Sequence, residues 1–107
     1  MSDIKLPKAV ENFVAATNAH DAEALFGVFA DDAVVQDDGK TFTGEAEIRA
    51  WIQSHMISAK VVLSPTSFSD GRLVASFSAD LPGGPWPFAF QFVTKDERIS
   101  DMAISLA

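Results

Sequence analysis

The sequence predicts an α+β fold, with three N-terminal helices covering one face of a curved sheet of long antiparallel strands. Three observations predict it. Apolar residues recur with a helical period up to about residue 58 and with a period of two beyond it. Helices and strands are therefore segregated along the chain, apart from one short hairpin, and that order argues against βαβ winding. Nine Phe and two Trp supply bulky core material, so no disulfide is needed.

Pro7 sits where a first helix starts, and proline is tolerated in a first turn. Val10, Phe13, Val14 and Thr17 follow at i, i+3, i+4 and i+7, one face of an amphipathic helix. Asn18-Ala19-His20-Asp21 breaks it. Asp21 is a good N-cap for a second helix, with Glu23 in its first turn. Leu25, Phe26 and Phe29 give that helix its buried stripe, and it ends near Ala30. Ala33 to Asp37 reads as a strand, Asp38-Gly39 is a hairpin signal, and Thr41-Phe42-Thr43 is the returning arm. Thr43 or Gly44 caps a third helix, which runs through Ile48, Trp51, Ile52, His55 and Met56 to about Ser58.

Residues 60–69 read as a strand bent at Pro65, where proline implies an edge position or a bulge. Ser69-Asp70-Gly71-Arg72 is a tight turn. Residues 72–80 alternate, with Leu73, Ala75, Phe77 and Ala79 on one face. Leu81-Pro82-Gly83-Gly84-Pro85 is a loop. Trp86, Phe88, Phe90 and Phe92 make one face of the next strand almost wholly aromatic, which by itself is more often core than ligand box. Thr94-Lys95-Asp96-Glu97 turns the chain. Residues 98–106 form the last strand, with Met102, Ile104 and Leu106 inward and Asp101 sharing the outer face with Ile99 and Ala103.

With 107 residues, 48 % apolar and 21 % charged, the chain reads as one soluble domain over residues 1–107. No internal repeat or linker interrupts it. The absence of cysteine excludes a thiol nucleophile, a Cys-based metal site and a redox motif. Two histidines far apart give no metal-ligand spacing, and no cofactor is expected. A net charge of −7 with eight scattered basic residues argues against a nucleic-acid partner. No early segment has the length and apolarity to span a membrane or act as a signal peptide, and Met1-Ser2-Asp3-Ile4-Lys5 lacks a basic region followed by an apolar run. A cytoplasmic location is the default expectation.

The segment Phe13-Val14-Ala15-Ala16-Thr17-Asn18-Ala19-His20-Asp21 is followed by Leu25-Phe26 and by Phe29-Ala30-Asp31-Asp32-Ala33-Val34-Val35-Gln36-Asp37. Gly44 and Ile48-Arg49-Ala50-Trp51 come next. Together these resemble the nuclear transport factor 2-like (NTF2-like) superfamily, in particular the branch of ketosteroid isomerases and SnoaL-like polyketide cyclases. The resemblance is strong over residues 7–58 and continues as strand order to the end. It implies a cone: a mostly antiparallel curved sheet around a long first helix, a pocket at the wide end, and homodimers through the outer sheet face. For activity it is weak, because the family hosts isomerases, cyclases, dehydratases, epoxide hydrolases and non-enzymatic binders.

Asp37 is the first candidate catalytic residue. Gln36 is polar and outward, so Asp37 shares the inward side of Ala33 and Val35. An inward acid is costly unless it has partners or a job. By resemblance it matches the general base of ketosteroid isomerases. The competing reading is that Asp37 only opens the hairpin turn. The resemblance puts the family tyrosine at Phe13 and the second acid near Phe88 or Ala89, none of which can donate to an oxyanion. Standard ketosteroid isomerase activity is therefore not expected.

His55 is the second candidate, three residues from Ile52 and four from Trp51 on the helix's apolar face. A buried imidazole there serves as acid, base or donor, or is a core or rim histidine with a satisfied hydrogen bond. Converging with Asp37, it would make an acid-base pair. By resemblance Trp51 is an aromatic pocket wall. Trp86 and Phe88 on the sheet, with Phe13, Phe26 and Phe29 opposite, would complete a cavity for a flat apolar molecule with one polar handle. His20 reads as a cap at the first helix's C-terminus. Arg49 lies off the apolar stripe, and Arg72 and Arg98 sit at strand starts, so no Asp-Arg-Asp arrangement is expected. Three readings stay open: an isomerase, lyase or cyclase; a non-catalytic binder of an apolar ligand; and a dimerising module with a vestigial pocket.

Overall fold

The computed structural model describes residues 4–37, 39–80 and 82–107. Its helices are α1 (Lys8–Asn18), α2 (Ala22–Gly27) and α3 (Gly44–Trp51). Its strands are β1 (Phe29–Asp37), β2 (Lys40–Thr43), β3 (Val62–Ser69), β4 (Arg72–Ser78), β5 (Trp86–Lys95) and β6 (Arg98–Leu106). They form a 6-stranded sheet in the order β2-β1-β6-β5-β4-β3. Neighbours are antiparallel except β1 and β6, which run parallel. The α+β class and the segregation of elements are as the sequence predicts. Among the described residues no helix is long and apolar enough to cross a membrane.

Local chemistry sets the helix ends. The N–H groups of His20 and Asp21 donate back to the carbonyls of Thr17 and Ala16 at 3.0 and 3.2 Å, closing α1. His20 takes the left-handed position there (φ 54°), which glycine usually fills. Its backbone caps the helix, while its Nε2 lies 3.1 Å from the Val61 carbonyl. Asp21 caps α2 by accepting from the Ala24 N–H at 3.0 Å. At the start of α3 the Thr43 N–H donates to Glu47 Oε1 at 2.9 Å.

Several boundaries differ from the sequence reading. α2 ends at Gly27 rather than near Ala30, because the Val28 carbonyl is taken by the Ile99 N–H at 2.8 Å. Phe29 thereby joins β6, and β1 starts earlier than residue 33, with a shift of register between Phe29 and Val34. Asp37 pairs with Lys40 across the first hairpin, and Gly39 takes φ +74°. Asp38, half of the predicted turn signal, lies outside the described residues, as do Leu81 and the first three residues.

α3 does not run on as an α-helix to Ser58. At Ile52 it passes into a π-helical segment, Ile52–Ile57. The wider bonding is visible where the Ser58 N–H donates to the Gln53 carbonyl at 2.9 Å, five residues back. Pro65 satisfies both alternatives raised for it: β3 is an edge strand, and its register slips between Pro65 and Ser67. A third slip, between Val93 and Thr94, corrects the parity of the last strand. It drives Ile99 into the core, fully buried, while Asp101 remains exposed.

The core centres on Phe13, which is fully buried. Its ring meets Phe92 at 5.5 Å, Phe90 at 5.8 Å and Phe29 at 6.3 Å between centroids. Burying each such ring contributes about 1.5–3 kcal/mol. These rings fill the space between α1 and the sheet.

Candidate functional site

Asp37 is the last residue of β1 and is half-buried. Trp51, the last residue of α3, is 1 % exposed, and its indole Nε1 donates to Asp37 Oδ2 at 3.0 Å. A hydrogen bond to a charged group contributes about 1.5–3 kcal/mol. Among the described residues Asp37 Oδ1 has no hydrogen-bond partner.

His55 lies in the π-helical segment, and its ring stacks on that of Trp51 (6.5 Å, 21° between planes). Phe42 meets it edge-on at 6.0 Å. Of the two readings raised for it, His55 is not a buried imidazole but is exposed at the rim, because Trp51 and Phe42 occupy the space beneath it. The Ser54 hydroxyl lies 2.9 Å from His55 Nδ1 and donates its single proton to the Ala50 carbonyl at 2.8 Å. Ser54 must then accept from Nδ1–H, which assigns the neutral ring a free lone pair at Nε2.

Asp37, Ser54 and His55 form the polar end of a cavity of about 240 Å³ whose other walls include Met56, Phe77, Phe88 and Ile104. A trough of about 680 Å³ adjoins it, sharing Asp37, Phe77, Phe88 and Ile104 and adding Gly39, Trp86, Ser105 and Leu106. Phe77 packs on Phe88 at 4.7 Å and on Trp86 at 6.4 Å. Gly83 and Gly84 lie against the Trp86 ring, where a Cβ on Gly84 would come within 2.7 Å of it. A groove of about 710 Å³ between α1, α2 and the β5–β6 turn is slightly larger. It is open, edged by Lys8, Asp21, Asp96, Glu97 and Arg98, and has no aromatic wall, so it lacks the features of a ligand site.

Of the residues singled out from sequence, Asp37, His55, Trp86 and Phe88 come together on these two adjoining cavities. Phe13, Phe29 and Trp51 do not line them, because their rings pack on one another and on Phe90 and Phe92. Phe26 lies elsewhere, under the Arg49 guanidinium, whose Cζ is 4.0 Å from the ring centroid. Arg49 is held there by Glu23 at 2.7 Å and Glu45 at 2.9 Å, and these carboxylates, Glu23 foremost, raise its pKa above the ordinary arginine value. Phe77, Ile104 and Ser54 were missed as site residues. Strand alternation puts Phe77 and Ile104 inward, but it does not say which end of the cone they face.

The SnoaL-like domain family matches residues 10–102. A candidate polyketide cyclase from Sinorhizobium meliloti is 33 % identical, with a TM-score of 0.82 over 94 % of this chain and 95 % of that one. A Catenulispora acidiphila protein with a ketosteroid isomerase-like fold, solved with trimethylamine, is 23 % identical, with a TM-score of 0.79 over 96 % and 88 % of the two chains. A Mycobacterium tuberculosis protein solved with estradiol-17β-hemisuccinate is 18 % identical, with a TM-score of 0.74 over 92 % and 91 %. Among curated protein sequences nothing matches. The length of the family match, with the helix-then-sheet order, makes this chain a member of the SnoaL-like domain family within the NTF2-like superfamily.

Proposed function

We propose that this protein binds a small apolar molecule at the wide end of the cone, and that Asp37 and His55 act on its polar handle as acid-base groups. The reaction class is that of an isomerase, lyase or cyclase. One observation carries this reading: a carboxylate oxygen and an imidazole Nε2, each without a partner among the described residues, line the same aromatic-walled cavity. Trp86 and Phe88 are the wall for the apolar body. The steroid-bound neighbour of the same fold is in keeping with such a ligand.

A second reading, binding without turnover, is favoured by the donors. The position matching the isomerase tyrosine is Phe13, deep in the core, and the Trp51 N–H is already spent on Asp37. An enolate would find no neutral donor in the small cavity. A module with a vestigial pocket fits less well, because the cavity is open rather than filled by Phe and Trp.

A thermal-shift screen of wild type beside Asp37→Asn and His55→Ala tests the pocket, with turnover of each hit followed by NMR. Compounds that stabilise wild type more than either variant support it. No stabilising compound for any of the three would sink it. The outer sheet face, with Gln91, Asp101, Ala103 and Val93 (55 % exposed), is the homodimer contact in this reading. Sedimentation of Val93→Lys as a monomer beside dimeric wild type checks that part.

A further inference from the structure

The polar end of the small cavity is built from hydrogen-bond acceptors. Asp37 Oδ1 and His55 Nε2 have no partner among the described residues. The potential side-chain donors are committed: Trp51 Nε1–H to Asp37, the Ser54 hydroxyl to Ala50, and His55 Nδ1–H to Ser54. A carbonyl handle would therefore meet two acceptors and no neutral side-chain donor. A carboxylate or phosphate would meet Asp37 with no Lys or Arg on the walls of either cavity. Lys40, which pairs with Asp37 across the first hairpin, borders an adjoining hollow of about 290 Å³ that shares Asp37 and Ile104 with both cavities, yet among the described residues it makes no ion pair with Asp37. The net charge of −7 adds to the bias against anions.

Any donor satisfies two acceptors, but beside a carboxylate with no ion pair among the described residues the favoured donor is a cationic one. The walls suit the same guest. Phe77, Phe88 and Trp86 are half-buried and form a contiguous aromatic set, with centroids 4.7 and 6.4 Å apart. Ring faces attract ammonium groups and the polarised carbons attached to them. We infer that the ligand is a lipophilic amine, bound as its ammonium ion with the nitrogen between Asp37 and His55 and the apolar body along Phe77, Phe88 and Trp86. This rests on the pocket proposed above and is independent of whether Asp37 also transfers a proton.

The test is calorimetric titration at about pH 8, where ordinary imidazoles are neutral and alkylamines protonated. Four probes share one skeleton: phenylbutylamine, its trimethylammonium counterpart, phenylbutanol and phenylbutanoate. The amine is expected to bind wild type about tenfold more tightly than the alcohol, the quaternary ion, which keeps the charge but has no N–H to donate, between the two, and the carboxylate most weakly. Asp37→Asn keeps an acceptor for Trp51, so it folds, and it brings both cations to the level of the alcohol. Equal affinity of alcohol and amine for wild type overturns the amine inference and leaves the pocket standing. A cation preference that survives in Asp37→Asn also overturns it, since the attraction would then come from the acidic surface. Binding by none of the four overturns both the inference and the pocket.

Discussion

The indole nitrogen of Trp51 lies 3.0 Å from Asp37 Oδ2, and this bond fastens the end of α3 to the end of β1. The same ring carries His55 on its face. One buried side chain thus positions both candidate acid-base groups. Asp37→Ala leaves the indole N–H unpaired at a site only 1 % exposed, a loss of about 1–3 kcal/mol. Asp37→Asn retains an acceptor and costs less than about 1 kcal/mol. Trp51→Phe loses the bond and leaves a cavity, for about 2–4 kcal/mol. Urea denaturation of the three variants checks the order; equal stability of the Ala and Asn variants would mean that the bond contributes nothing.

Asn18 performs a similar task at the edge strand β3. Its Nδ2 donates to the Leu63 carbonyl at 2.9 Å, and its Oδ1 accepts from the Leu63 N–H at 2.7 Å. The amide thereby occupies both backbone groups of one residue of the edge strand β3, a site otherwise open to another chain. Asn18→Ala is expected to cost about 1–3 kcal/mol and to raise hydrogen exchange at Leu63 specifically. Unchanged exchange there counts against the tie.

Much of this was legible in the sequence, and the reasons for the rest are physical. Period and capping chemistry identified all three helices, since Asp21 and the Thr43 region are local signals. The inward side of Asp37 followed from alternation alone. The Trp51–Asp37 bond did not, because it joins residues 14 apart through a helix whose rotation only packing fixes. Strict alternation puts Ile99 on the outer face, whereas one bulge reverses the parity and leaves no mark in composition. Phe13 and Phe29 have the residue type of pocket walls, but ring packing decides between wall and core, and here it chose core.

Two hairpins offer a comparison of turn chemistry. Both have two-residue loops, closed by the pairs Ser69–Arg72 and Lys95–Arg98. Both loops need positive φ at each position, as type I′ turns do: 52° and 80° at Asp70 and Gly71, 53° and 63° at Asp96 and Glu97. Glycine adopts this freely, whereas an L-side chain costs roughly 1–2 kcal/mol. Glu97→Gly is therefore expected to stabilise the protein by about 0.5–1 kcal/mol, after the extra entropy of glycine in the unfolded chain. Gly71→Ala should destabilise it, since the added Cβ would also lie 2.8 Å from the Phe92 carbonyl oxygen. Chemical denaturation of both variants reads the signs directly.

Thr17 sits in the last turn of α1 at 1 % exposure, and its Oγ1 is buried without a hydrogen-bond partner among the described residues. A helical threonine can bond back to the carbonyl four residues earlier, but this one does not. An unmet buried hydroxyl costs on the order of 1–3 kcal/mol relative to a satisfied one. Valine has the same shape and the same β-branched cost in a helix, so Thr17→Val changes little except that hydroxyl. The variant is expected to be more stable by about 1 kcal/mol, a rise in Tm of roughly 4 °C for a chain of this size. Thr17→Ser supplies the opposite control. It keeps the hydroxyl, loses the methyl and should destabilise by about 1 kcal/mol. If valine instead lowers Tm, the hydroxyl has a partner in solution and its burial is not a cost to the fold.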